Sequence, residues 1–112
     1  MARVFIIEPH DDVRELLARV VRRLGHEVVL PGAEPGLVDA VLVEPAAAGD
    51  LALARRVQAA SGAAVVCVSI YPTADEALVL EPVAYLMKPF TLLDLERALL
   101  SALERGRAAT AA

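Results

Sequence analysis

Four residues in this chain could do chemistry together if folding brought them to one edge: Glu8, Glu44, Ser69 and Lys88. Each stands at the end of a short apolar run, VFII, AVLV, AVVCV and AYLM respectively. They supply two carboxylates, a hydroxyl and an ammonium, a set suited to charge pairing and hydrogen bonding. Nothing in the sequence places a Ser-His-Asp set or a Cys-His pair for nucleophilic catalysis. The turn after the first run reads EPHDD and lacks the glycines that cradle a nucleotide or flavin phosphate. His10, Asp11 and Asp12 follow Glu8 closely. With Glu8 they could ligate a transition metal. The alternative is that an aspartate caps a helix and His10 faces solvent.

The elements that would position these residues are legible from periodicity. Arg3 to Ile7 is continuous and β-branched, as in a strand buried on both faces. Asp12 with Glu15 has capping-box spacing, and Val13, Leu16, Leu17, Val20, Val21 and Leu24 mark one helix face ending at Gly25. Further strands are expected at Glu27 to Leu30, Asp39 to Val43, Ala64 to Ser69 and Val83 to Met87. Between the second and third, PGAEPG reads as turn, so a crossover helix is shortened or missing. Asp50 is placed to cap a helix carrying Leu51, Leu53, Ala54 and Val57 inward and ending at Ser61-Gly62. Thr73 and Glu76 suggest a short helix stopped by Pro82. Thr91 caps the last helix, with Leu92, Leu95, Leu99, Ala102 and Leu103 on one face and Gly106 at its end. Five buried strands separated by helices predict a flavodoxin-like α/β fold, an open parallel sheet in the order 2-1-3-4-5. Its functional crevice lies beyond the carboxyl ends of the strands, where the four residues above would meet.

Composition narrows the function. The 112 residues suit one domain, expected over 1–106, with 107–112 as a flexible tail. Hydrophobic residues make up 57%, which argues for a filled core and against disorder. A net charge of -4 and 4% aromatics disfavour direct nucleic-acid binding. No apolar run approaches the roughly 18 residues of a membrane span. The single cysteine, Cys67, lies in an apolar stretch and excludes an internal disulfide. A cytoplasmic location is the expectation.

The pattern resembles the receiver domain of two-component response regulators along nearly its whole length. The resemblance rests on FIIEPHDDVRELL, VDAVLVEP, VVCVS and, most specifically, AYLMKPF. It implies a bacterial signalling domain, not an enzyme, working with a histidine kinase or a downstream effector. In the family two acidic residues after the first strand help hold Mg²⁺, and an Asp ending the third strand accepts phosphate. A Ser or Thr after the fourth and a Lys after the fifth bond the phosphoryl group, and an aromatic residue switches. By position Ser69, Lys88 and Tyr85 match, and the Lys88-Pro89 bond is expected to be cis. The acidic pair has become Glu8-Pro9 and the acceptor Glu44, so the site resembles a degenerate, pseudo-receiver pocket without metal or cofactor. Pro9 offers no side-chain oxygen, and the longer Glu44 would be misaligned for in-line attack on a phosphohistidine. Two readings follow. Glu44 could pair with Lys88, helped by Ser69, and stand in for the phosphoryl charge, or both could be relics in a solvated crevice. The rival function is a genuine phosphorelay receiver using an atypical carboxylate. In the family the face of the last two helices and last strand docks partners. Here it carries Asp75, Glu76, Glu96, Arg97, Glu104 and Arg105, which suits either a homodimer or an ordinary solvated surface. The chain could also be the receiver part of a longer regulator.

Overall fold

A computed structural model describes residues 1–32, 35–46, 48–70 and 75–111, and side-chain surroundings for the same residues apart from 48, 75, 76 and 106–111. The elements run β1 (Arg3–Ile7), α1 (Asp11–Arg23), β2 (Glu27–Val29), β3 (Ala40–Val43), α2 (Ala48–Ser61), β4 (Ala64–Ser69), a 3-10 turn (Asp75–Leu80), β5 (Ala84–Met87) and α3 (Leu92–Ala111). The five strands form one parallel sheet in the order β2-β1-β3-β4-β5. This is the expected flavodoxin-like architecture.

Alternation along each strand divides the core into two layers. Val4, Ile6, Ala40, Leu42, Val66 and Val68 face α1 and α3, where Leu17, Val21, Leu95 and Leu99 meet them. Phe5, Ile7, Val41, Val43, Val65 and Cys67 face the opposite way, towards Ala54 and Val57 of α2 and Ala77 and Leu80 of the 3-10 turn. The inward helix faces differ from expectation at two leucines. Leu16 is exposed at the rim of α1, and Leu92, in the first turn of α3, points outward.

The helix ends show where local signals held. Gly25 takes a left-handed φ of 89° after α1, and Gly62 one of 68° after α2. Thr91 Oγ1 accepts from the Asp94 amide at 3.0 Å, and Asp94 returns a bond to the Thr91 amide at 3.4 Å. The N-termini of α1 and α2 start earlier than their expected caps. His10 is the N-cap residue of α1, so the Asp12–Glu15 box does not form; Asp12 instead accepts from the Val13 amide at 3.0 Å. Asp50 lies in the first turn of α2, where its charge still suits the helix dipole. α3 runs through Gly106 to Ala111. One glycine costs a helix about 1 kcal/mol, and the alanines around it favour the helix. The Thr73–Glu76 pair, and Asp75 and Glu76 on the suggested docking face, involve side chains outside those described. The turn before Pro82 ends at Leu80, held by Gln58 Nε2 on the Leu80 carbonyl at 2.6 Å, and Glu81 takes a φ of 46°.

Among the described residues of the β2–β3 connection there is no helix. Arg3 holds this connection instead. Its guanidinium bonds the Leu37 carbonyl at 2.8 Å and pairs with Glu27 at 3.0 Å. Its backbone amide donates to Asp39 Oδ2 at 2.7 Å. Gly36 passes close to this clamp with a φ of 63°, and a Cβ there would lie 3.0 Å from an Arg3 guanidinium nitrogen. Gly62 has a similar φ but nothing within 4 Å. Gly62→Ala should therefore lose only the left-handed backbone penalty, about 1–2 kcal/mol. Gly36→Ala should lose about 1 kcal/mol more, because Arg3 must leave its hydrogen bonds. Urea unfolding of the two variants measures the difference; equal losses would show that Arg3 moves freely.

Candidate functional site

Parallel pairing puts the carboxyl ends of β1, β3, β4 and β5 on one edge. Glu8 follows β1, Glu44 follows β3, Ser69 ends β4 and Lys88 follows β5. The ladder continues past the strands, with the Glu44 amide on the Ile7 carbonyl at 3.0 Å and the Lys88 amide on the Ser69 carbonyl at 2.7 Å. The backbone at Glu44 and Lys88 is therefore held by the ladder.

The four side chains meet. Ser69 Oγ donates to Glu44 Oε1 at 2.8 Å. Lys88 Nζ donates to Glu44 Oε2 at 3.3 Å, and to Glu8 Oε1 and Oε2 at 3.2 and 3.1 Å. Glu44 Oε1 also accepts from the Ala46 amide at 3.1 Å. Glu8 Oε1 also accepts from the His10 amide at 3.2 Å and lies 2.8 Å from His10 Nδ1. Glu8, Glu44 and Ser69 are 4%, 3% and 1% exposed, so this is an interior network and not a solvated crevice. No described buried side-chain polar atom lacks a partner. Such satisfaction is what makes buried charge tolerable.

The sequence pointed to Glu8, Glu44, Ser69 and Lys88 meeting at this edge, with a Glu44–Lys88 pair aided by Ser69, and the structure brings all four together. It did not point to the Glu8–Lys88 pair, which is the shorter of the two. Their places at the ends of β1 and β5 gave no signal of direct contact. β3 and β4 lie between them, and neighbouring strands are spaced about 4.8 Å, so roughly 14 Å must be spanned. Only a long Lys reaching towards a Glu closes that gap. Pro9 is exposed and outside the network. Tyr85 is half-buried against the α2-side core. The Lys88-Pro89 bond is cis, as expected.

The residues present do not fit Mg²⁺. A Mg²⁺ ion needs near-octahedral oxygen ligands. Both oxygens of Glu8 and of Glu44 already accept hydrogen bonds, and Pro9 has no side-chain oxygen. The metal grouping around His10 does not assemble either. Arg14 draws Asp11 into an ion pair, and Asp12 turns to its neighbour's amide. Among the described residues no three His, Cys, Asp or Glu side chains are arranged to hold a metal ion.

Cys67 lies on the strand that ends in Ser69. Burial first, and the nearby Glu44 carboxylate second, push its thiol up to about 11. The folded state thus retains a proton that the unfolded chain releases near pH 9. Its contribution to stability is complete below about 9 and is lost as pH rises towards 11. The stability difference between wild type and Cys67→Ala should narrow across that window, as urea titrations at stepped pH would show. At pH 8 a thiol reagent should label Cys67 only after unfolding.

No family model and no curated protein matches the chain. Solved structures do. It superposes on a CheY-like receiver domain from Methanospirillum hungatei JF-1 with a TM-score of 0.80 at 18% identity, covering 97% of this chain and 98% of that one. The signal receiver domain of a modulated diguanylate cyclase from Desulfovibrio desulfuricans G20 gives 0.79 at 20% identity over 97% and 98%. A response regulator from Thermotoga maritima gives 0.71 at 20% over 93% and 98%. No described helix is long and apolar enough to cross a membrane. The likeness to these structures is one of architecture: the chain has the fold of a response-regulator receiver domain.

Proposed function

We propose that this chain is a receiver-like signalling domain that works without accepting phosphate, by docking a protein partner. The observation that supports this best is the occupancy of Glu44. Its carboxylate holds the Ser69 hydroxyl and the Lys88 ammonium. By position these are the groups that a receiver directs at a phosphoryl group. An internal carboxylate already satisfies them, and both its oxygens are engaged in hydrogen bonds. The pocket gives Mg²⁺ no place, so developing charge on a transferring phosphoryl would go unneutralised. Pro9, Glu8 and Glu44 thus form a pseudo-phosphorylation site. Ser69, Tyr85, Lys88 and Pro89 hold one conformation of the switch region. The partner class is a histidine kinase, a downstream effector or a second copy joined through the last two helices and β5.

Incubation with acetyl phosphate and Mg²⁺, followed by intact-mass measurement under conditions that preserve acyl phosphates, should leave the mass unchanged. A gain of one phosphoryl group located at Glu44 would overturn the proposal and favour a phosphorelay receiver with an atypical acceptor.

A further inference from the structure

The β2–β3 connection, without a helix among its described residues, leaves a feature that the charge network does not explain. Between the β2–β3 connection and α2 lies a groove of about 380 Å³, lined by Pro35, Gly36, Leu53, Arg56, Val57 and Ala60. Leu37 stands beside Gly36 in the connection and is 71% exposed. Arg55 and Arg56 are exposed on α2, and neither forms an ion pair with another described residue. The groove lies in the β2–β3 crossover, which in a parallel sheet is usually helical.

We infer that this groove takes an amphipathic helix of a partner protein, its apolar stripe against Leu53 and Val57 and its acidic flank against Arg56. This rests on the docking reading above and assigns it a face. Three features favour this occupant. Apart from Arg56, no described lining residue carries a polar side chain, so among them the converging side-chain groups that orient a small metabolite are lacking. The groove holds on the order of a dozen waters, enough for a few anchoring side chains of a helix. The two arginines give a positive edge on a chain of net charge -4. A two-fold contact of this face with itself would bring those arginines together, so the complementary surface is acidic and foreign.

The test titrates the isotopically labelled full chain with two synthetic peptides of about five helical turns. One carries Leu at i, i+3, i+4 and i+7 flanked by Glu; its twin carries Lys for each Glu. The acidic peptide should shift the amides of residues 36–38 and 53–60. Its affinity should fall about tenfold for the Lys twin, and about tenfold for Arg56→Glu with the acidic peptide, an electrostatic loss of the expected size. Arg23→Glu, exposed on α1, should leave it unchanged. No binding, equal binding of both peptides, or shifts centred on α3 and β5 would overturn the inference. So would self-association abolished by Leu53→Asp, which would make a second copy the occupant. None of these outcomes depends on acetyl phosphate, so the two proposals fail separately.

Discussion

Lys88→Met should lower the free energy of unfolding by about 3–5 kcal/mol at neutral pH, because it takes from two interior carboxylates the one ammonium that pairs with both. The side chain of Lys88 is 11% exposed and those of Glu8 and Glu44 are 1% and 4% exposed, so water cannot take over its role. A domain of this size has about 5–15 kcal/mol in total. The variant should therefore unfold at a much lower urea concentration, and circular dichroism is sufficient to see it. The triple variant Lys88→Met, Glu8→Gln, Glu44→Gln should lose less than the single one, since it removes the stranded charges. Double-mutant cycles should give a larger coupling for Lys88 with Glu8, which takes two of its bonds, than with Glu44, which takes one. A loss below about 1 kcal/mol for Lys88→Met would mean that the network is screened as a surface pair is.

Leu99→Ala should lose about 2–5 kcal/mol, the range for emptying a packed leucine site. Leu99 is 0% exposed and packs with Leu95, Ala102 and Leu103 against the sheet. Its neighbour Leu100 is 52% exposed, and Leu100→Ala should change stability by no more than about 0.5 kcal/mol. Thermal or urea unfolding of the pair reads out which face of α3 is buried; similar losses would contradict the packing described.

That contrast shows what the sequence could and could not reveal. Periodicity located α3 and most of its buried stripe, because i, i+3, i+4 spacing is a property of the helix itself. It misplaced Leu92, which opens α3 and is 45% exposed. Continuous β-branched runs located all five strands, each within a residue at its ends. The caps at Gly25, Gly62 and Thr91 were legible because a left-handed φ or a hydroxyl bond is decided within a few residues. The caps expected at Asp12 and Asp50 were not. The cap of α1 falls two residues earlier, at His10, which is held against the Glu8 carboxylate, a contact that capping-box spacing does not encode. In the same way, the ends of four strands named the residues that meet, but only the side-chain positions show that Lys88 reaches across two strands to Glu8. Gly106 was misread because a single helix-weakening residue was weighed without the alanines on either side.

The bond between Lys88 and Glu8 joins positions 80 residues apart. Closing so long a loop is entropically unfavourable until the intervening chain is already organised. β3 and β4 must be in register before the ammonium can arch across their ends. The clasp is thus a seal on completed assembly, absent from any intermediate in which the fifth strand has yet to dock. A partner that reads the conformation of this edge would ignore newly made or partly unravelled chains.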